Sequence, residues 1–565
     1  MNQTSQTRLA GEARPWRRRS LLLGGLGLLL VGIMAIERLA FLSHAAPSDF
    51  DDAYTYLRYA QHWLAGDGIV WNTGEATVFG VTSLLHLAVV TAIRRGFPAL
   101  PMWHVLQVAS GAAAIGLLAA LVAIAALVAR DPRLSRNWIF WAGMLLPLVA
   151  FREAFGFHAG TGMDTMLAAL SNAVLIFFSL QLGAKPTTGR IALAVAAGAV
   201  SVLARPDNLI CAVLCPTLAI LLLAERPIVR PLVLHGSMSV LVLGLLALGA
   251  WHLLGTPVPL SFFVKQPGYY SGFAGEFGWN PFRFLDVFLI AAWPFVVAVI
   301  LFGDRAGWRS AVVLLAPALS TVAALFRFNQ IMGHLGRFYF PMLPFFVVAG
   351  LLQFDRFVSR PRHALRPKVL LARAAVAFVV VAVVRAGLGS AGERYASRSD
   401  AQTLPPIVGY QVAAAESLPE VDSWESARRI AAIAAAAPAG ARFAMSEHGL
   451  PGALAPNIAI VDVLGLHDAD FALHGFSAAE FFRRGADFIW MPHSDHAFML
   501  KEILASDEFW AHYAFYPDAF FHGVAVRTDG KHAAALGHLL SSAWDWTYPG
   551  IAMADHRAAR SDIGR

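Results

Sequence analysis

The feature that most constrains this chain is a recurring one. Stretch after stretch reaches the roughly 20 apolar residues that a helix needs to cross a bilayer. A β-barrel is excluded, because its strands alternate in polarity and give no such runs. Composition agrees: hydrophobic residues make up 57% and charged residues 14% of the 565, against about 25% charge in a soluble domain. A soluble cytosolic enzyme and a disordered chain are therefore both excluded. Two cysteines rule out a disulfide framework and a cysteine-based zinc cluster. Cys211 and Cys215 sit in one apolar run, as packing residues do. The net charge of +7 does not point to nucleic acid, since much of the arginine flanks hydrophobic runs, where it sets membrane orientation.

Residues 1–19 form a basic amino terminus, with RPWRRRS at 14–20, and an apolar run follows to Leu42. That run exceeds the roughly 7–15-residue core of a signal peptide, so it reads as an uncleaved first span starting in the cytoplasm. Further spans are expected over 103–129, 137–153, 164–183, 189–204, 207–224, 231–254, 283–303, 308–326, 336–354 and 368–389. Alternating sides then puts the clusters at Arg130–Arg136, Lys185–Arg190, Arg226–Arg230, Arg305–Arg309 and Arg356–Arg373 inside, as the positive-inside rule requires. Residues 81–93 are apolar but too short to span and read as an interfacial helix on the outer face. The expected architecture is a mainly α polytopic membrane protein of about eleven transmembrane helices. Its membrane domain covers 20–389, with an outer first segment at 43–102 and another at 255–282. A carboxy-terminal α/β domain over 390–565 lies outside the cytoplasm, with strands near 443–447, 459–465, 487–492 and 523–528 and helices near 423–437 and 497–506.

Polar residues gather on the outer side. In DFDDAYTYLRYAQHWLAGDGIVWNTGE at 49–75, Ala53, Leu57, Ala60 and Leu64 recur at helical spacing, which predicts an amphipathic helix on the membrane surface ended by Gly66 and Gly68. Asp51 and Asp52 open it. Aspartates there are often caps, but two adjacent carboxylates also raise each other's proton affinity, which suits a base near neutral pH. Asp164, Arg205, Asp207, Lys265 and Arg337 stand at other outer helix ends. Any one of these is most simply an interfacial charge. Together they bring acids for proton transfer and cations for phosphate to one membrane face, which suggests a lipid-phosphate substrate. His493 and His496, flanking Asp495, offer metal-ligand side chains, with a solvated loop as the plainer reading. The chain shows no P-loop, no GxSxG elbow and no GxGxxG in a strand–helix context.

The segment at 51–75 resembles the first outer loop of GT-C-fold membrane glycosyltransferases, most of all the branch containing the terminal β-(1→2)-arabinofuranosyltransferases of bacterial cell walls. The matching residues are Asp51–Tyr54, Arg58–Ala60, Gly66 with Gly68, Trp71–Asn72 and Gly74–Glu75. Gly162–Thr165, Arg205–Asp207, Pro259–Lys265 and Arg337–Phe338 continue the match in family order. The chain departs from the pattern at Phe79–Val81, at GMD in place of a GLE-type motif, and at VPLSFFVK in place of LPNTFYAK.

The resemblance implies a polyprenyl-phosphate-linked sugar donor, an arabinofuranose-like pentose, used on the periplasmic side of a bacterial inner membrane. The acceptor would be an envelope glycan, lipid or protein. Asp51 or Asp52, with Asp51 favoured, would activate the acceptor hydroxyl. Arg205, Lys265 and Arg337 would hold the departing phosphate. Arg58, Asp164, Asp207 and Glu75 would orient the substrate. No cofactor is required, though the acids permit a divalent cation. The competing reading is a transporter or flippase, which is expected to place its charges near the midplane rather than at helix ends. A silent assembly factor on the same fold would not need the acid pair.

Overall fold

A computed structural model describes residues 50–128, 152–225, 227–266, 281–304, 307–330, 332–358, 367–400, 423–492, 496–516 and 523–543. Eight described helices are long and apolar enough to cross a membrane: Met102–Ala125, Thr165–Ala184, Pro206–Leu223, Val229–Leu254, Pro281–Phe302, Trp308–Leu325, His334–Phe357 and Pro367–Arg394. Thr188–Ala204 is a shorter apolar helix beside them. The expected first span, most of 137–153, and His493 and Asp495 lie outside the described residues. The bundle packs around Leu117, Met166, Ile176, Phe288, Leu314 and Phe345. Val229–Leu254 and Pro367–Asp400 present apolar side chains outward, among them Val240 at 76% and Phe378 at 74% exposed. Such surface is unstable in water and suits lipid.

The apolar stretch after residue 81 forms the helix Leu84–Gly96, capped by the Ser83 side chain, which accepts the His86 N–H. At 13 residues it is too short to span.

The last membrane helix runs unbroken to Asp400, past the expected boundary at 390. Beyond it, Ser423–Ala436 packs on a five-stranded sheet of β1 Arg442–Met445, β2 Ala459–Asp462, β3 Phe488–Trp490, β4 Tyr513–Tyr516 and β5 Val524–Arg527. The order is β2-β1-β3-β5-β4. The first three strands are parallel, with Phe443 opposite Ile460 and Phe488, and β5 runs antiparallel to both β3 and β4. Four strands and both helices fall where the sequence puts them. β4 is an additional edge strand, entered directly from the helix Asp507–His512.

The first outer helix, Asp51–Ala65, departs from expectation. Gly66 ends it with φ +94°, a conformation glycine adopts without strain. It does not lie on a membrane surface with one face free, because every residue from Ala53 to Ala60 is buried. Tyr54, Tyr59 and Trp71 share one core with Phe443, Leu450, Ile460 and Trp490. The periodic stripe of alanines and leucines reports one buried face, and the carboxy-terminal domain covers the other. The segment that follows residue 50 and the carboxy-terminal domain therefore share one core.

Candidate active site

The adjacent acids at the start of Asp51–Ala65 diverge, as 3.6 residues per turn requires. Phe50 holds the cap position of that helix and makes no side-chain cap bond. Asp51 turns to the carboxy-terminal domain, where its two oxygens accept the N–H groups of Gly449 and Leu450, both at 2.7 Å. It thus caps a helix almost 400 residues downstream, Gly449–Leu454. Burial raises the Asp51 carboxyl above its ordinary value, with His448 and the two amides opposing and Asp52 adding to the rise. Asp52 points the other way and pairs with Arg337 at 3.0 Å. Burial alone would raise Asp52, but Arg337 and then Lys265 outweigh it and hold this carboxyl below its usual range. Environments that push two neighbouring carboxylates apart assign them different roles.

The three expected cations converge on one ring. Arg205 Cζ, Lys265 Nζ and Arg337 Cζ stand 5.4, 5.2 and 5.6 Å from the Phe338 centroid. Arg337 also covers Phe50, at 4.9 Å. Its approach is fixed by a strained turn in which Met332 and Leu335 adopt φ of +57° and +48°. Non-glycine residues rarely do so except where the surroundings over-determine them. Gly336 allows the turn to close on Phe288, since a Cβ there would stand 2.8 Å from the Phe288 Cβ.

The cations differ in how they are held. Arg205 is buried, forms a fork to Asp207 at 3.0 and 2.9 Å and reaches Asp164 at 3.4 Å. Asp164, at the amino end of Thr165–Ala184, makes no cap bond there and also accepts the Tyr56 hydroxyl at 3.2 Å. Arg337 keeps a buried Nε–H without a partner. Lys265 forms no ion pair or side-chain hydrogen bond among the described residues, and burial, reinforced by Arg337 and Arg205 against Asp52, lowers its pKa from 10.5 to about 8. Its backbone is pinned by the Asn329 N–H, which donates to the Lys265 carbonyl at 2.8 Å. Beside these groups lies a half-open cleft. Thr82, Arg205, Asp207 and Lys265 line its polar side, and Leu325 and Phe328 form an apolar wall.

Two expected substrate-orienting residues stand elsewhere. Arg58 is fully buried. It donates to the carbonyls of Trp71, Gly452, Ala455 and Ile458 and to Asn72 Oδ1 at 2.7–3.2 Å. Its five N–H groups are thereby spent on protein acceptors, so the geometry gives it the role of joining the first outer segment to the carboxy-terminal domain. Glu75 is exposed and accepts the Asn72 Nδ2–H at 2.9 Å. His496 is buried. Several residues at the site are given no role by the sequence. Tyr56 holds Asp164, and Phe338 collects the cations. His448, Asp462 and His467 form a buried group behind Asp51. Their spacing in the chain matches no standard metal pattern, and only folding brings them together.

A scan against protein-family models finds no match, and a search of curated proteins finds none either. Among solved structures, the chain is similar to ArnT from Cupriavidus metallidurans in its apo state, with TM-score 0.51 and 14% identity over 90% of this chain and 98% of that one. It is also similar to the same protein bound to undecaprenyl phosphate, with TM-score 0.49 and 13% identity over the same shares. At this identity the likeness speaks to architecture: the chain is a multi-pass membrane protein with the GT-C fold.

Proposed function

We propose that this protein is a membrane glycosyltransferase that moves a sugar from a polyprenyl-phosphate carrier to a cell-envelope acceptor. An arabinofuranose-like pentose is the sugar that the first-loop motifs favour. The observation that carries the reading is the group around Phe338: three cations on one ring, two of them with free donors, beside a cleft with one apolar wall. A phosphate esterified to a long hydrocarbon needs both kinds of surface. In this mechanism Asp51, the more basic acid, accepts the proton of the acceptor hydroxyl. The acceptor oxygen bonds to the anomeric carbon as the bond from that carbon to the phosphate oxygen breaks. Lys265 and Arg337 take the charge that develops on the departing phosphate. Asp52 orients Arg337, and Asp164 with Asp207 holds Arg205. Such fixed charges act before the reaction and need no reorganisation during it.

The test is transfer by the purified protein in nanodiscs. Polyprenyl-phosphate arabinofuranose is supplied with an envelope-glycan fragment, and product is followed by mass spectrometry. Product that requires Asp51 supports the reading. No turnover of this or any other polyprenyl-phosphate sugar, by folded protein that also fails to bind them, would remove it.

A further inference from the structure

Behind Asp51, three ligand-type side chains meet in the carboxy-terminal domain. His448 lies between β1 and the helix Gly449–Leu454, Asp462 ends β2, and His467 lies five residues further on. One ring nitrogen of each histidine and one oxygen of Asp462 lie within 4.8 Å of one another. The three are only 3%, 1% and 6% exposed.

Each side chain is held by contacts that orient it. His448 Nδ1–H donates to the Ser446 carbonyl at 2.9 Å. The Asp462 oxygens accept the Leu464 and His467 N–H groups at 2.9 and 2.6 Å. His467 is stacked on Trp71, with centroids 4.0 Å apart and planes at 13°, and its Nδ1 lies 3.1 Å from the Tyr59 hydroxyl. Gly80 permits this closeness, because a Cβ there would overlap both the Tyr59 hydroxyl and His467 Nδ1. The other ring nitrogen, Nε2 of His467, is buried without any hydrogen-bond partner. Leaving a buried polar atom unsatisfied costs about 1–3 kcal/mol, which a bound cation would offset.

We propose that His448, Asp462 and His467 bind a divalent transition-metal cation of the zinc class. Two imidazoles and a carboxylate are a characteristic zinc donor set, and too rich in nitrogen for calcium or magnesium. Bonds of about 2.0–2.1 Å in tetrahedral geometry place ligand atoms about 3.4 Å apart, which small side-chain rotations reach from the present spacing. The Ser446 and Tyr59 contacts are the outer-shell bonds that fix ligating imidazoles. The ion ties the end of β1 to the end of β2. It thereby holds the turn whose Gly449 and Leu450 amides clamp Asp51. This inference does not depend on what the site transfers.

The experiment measures metal by mass spectrometry on full-length protein in detergent, after zinc loading and dialysis. About one equivalent is expected in the wild type, and less than a tenth in His467→Ala and Asp462→Ala. Zinc added to metal-free protein should raise the melting temperature of the wild type alone. Tyr59→Phe removes only an outer contact, should fold, and should weaken zinc affinity roughly 10- to 100-fold. Less than a tenth of an equivalent in folded wild type would overturn the proposal. So would equal zinc binding in the alanine variants, or, should those not fold, an unchanged affinity in Tyr59→Phe.

Discussion

Replacing Lys265 with methionine removes one charge beside Phe338 while keeping the length of the side chain. Among the described residues this ammonium forms no ion pair, and burial, with Arg337 and Arg205 adding against Asp52, lowers its pKa to about 8. A charge-assisted hydrogen bond contributes about 1.5–3 kcal/mol, so Lys265→Met should weaken donor binding roughly 10- to 150-fold at pH 7. The same reasoning fixes a pH profile. A sugar phosphodiester keeps one negative charge through the alkaline range, so only the protein titrates. Wild-type affinity should fall as pH rises through about 8, and level off at the value of the methionine variant. The bound anion moves the midpoint upward. Lys265→Arg stays charged throughout and should flatten the profile.

Stability moves in the opposite sense. A lysine whose folded pKa is depressed binds fewer protons in the native state than in the unfolded state between about pH 8 and 10.5. Its contribution to stability therefore rises with pH across that window. Loss of affinity there cannot be unfolding caused by this group. The assay is titration of a polyprenyl-phosphate sugar into protein in nanodiscs, from pH 6.5 to 10. Identical profiles for wild type and Lys265→Met would refute the argument.

Asp51→Asn should leave donor binding within about threefold and cut transfer at least about a hundredfold, with Asp52→Asn less severe. Normal transfer by both variants would reduce Asp51 to a cap of the helix Gly449–Leu454 and Asp52 to the ion-pair partner of Arg337. Arg58→Met leaves buried acceptors unpaired between the first outer segment and the carboxy-terminal domain, and should cost more than about 3 kcal/mol in detergent unfolding; Glu75→Gln, at an exposed position, should stay within about 0.5 kcal/mol. A small Arg58 effect would contradict its assignment as the link between these segments. Alkaline phosphatase fused after residue 400 should be active, and activity of a cytoplasmic reporter at that point would overturn the orientation.

The membrane helices were legible because a long apolar run is a local signal, and bilayer thickness sets its length. The convergence of Arg205, Lys265 and Arg337 was foreshadowed by their places at the ends of apolar runs, although nothing local names Phe338 as the ring they surround. Burial of the first outer helix was not legible. Its stripe of Ala53, Leu57 and Ala60 looks the same whether the opposite face meets water or a domain almost 400 residues away. Arg58 misled for a related reason. An arginine in a loop motif suggests a ligand, and only the fold reveals the four carbonyls that accept its hydrogen bonds. The group of His448, Asp462 and His467 depends on the pairing of β1 with β2, which no spacing in the chain announces.

The most direct test of the central claim is a mass-spectrometric comparison of polyprenyl-phosphate sugars and envelope glycans between cells with and without the gene. One polyprenyl-phosphate sugar should accumulate while one terminal sugar, a pentofuranose, disappears from the envelope. Wild-type protein should restore both and the Asp51→Asn variant neither. Unchanged carrier and glycan profiles, or full restoration by Asp51→Asn, would contradict it.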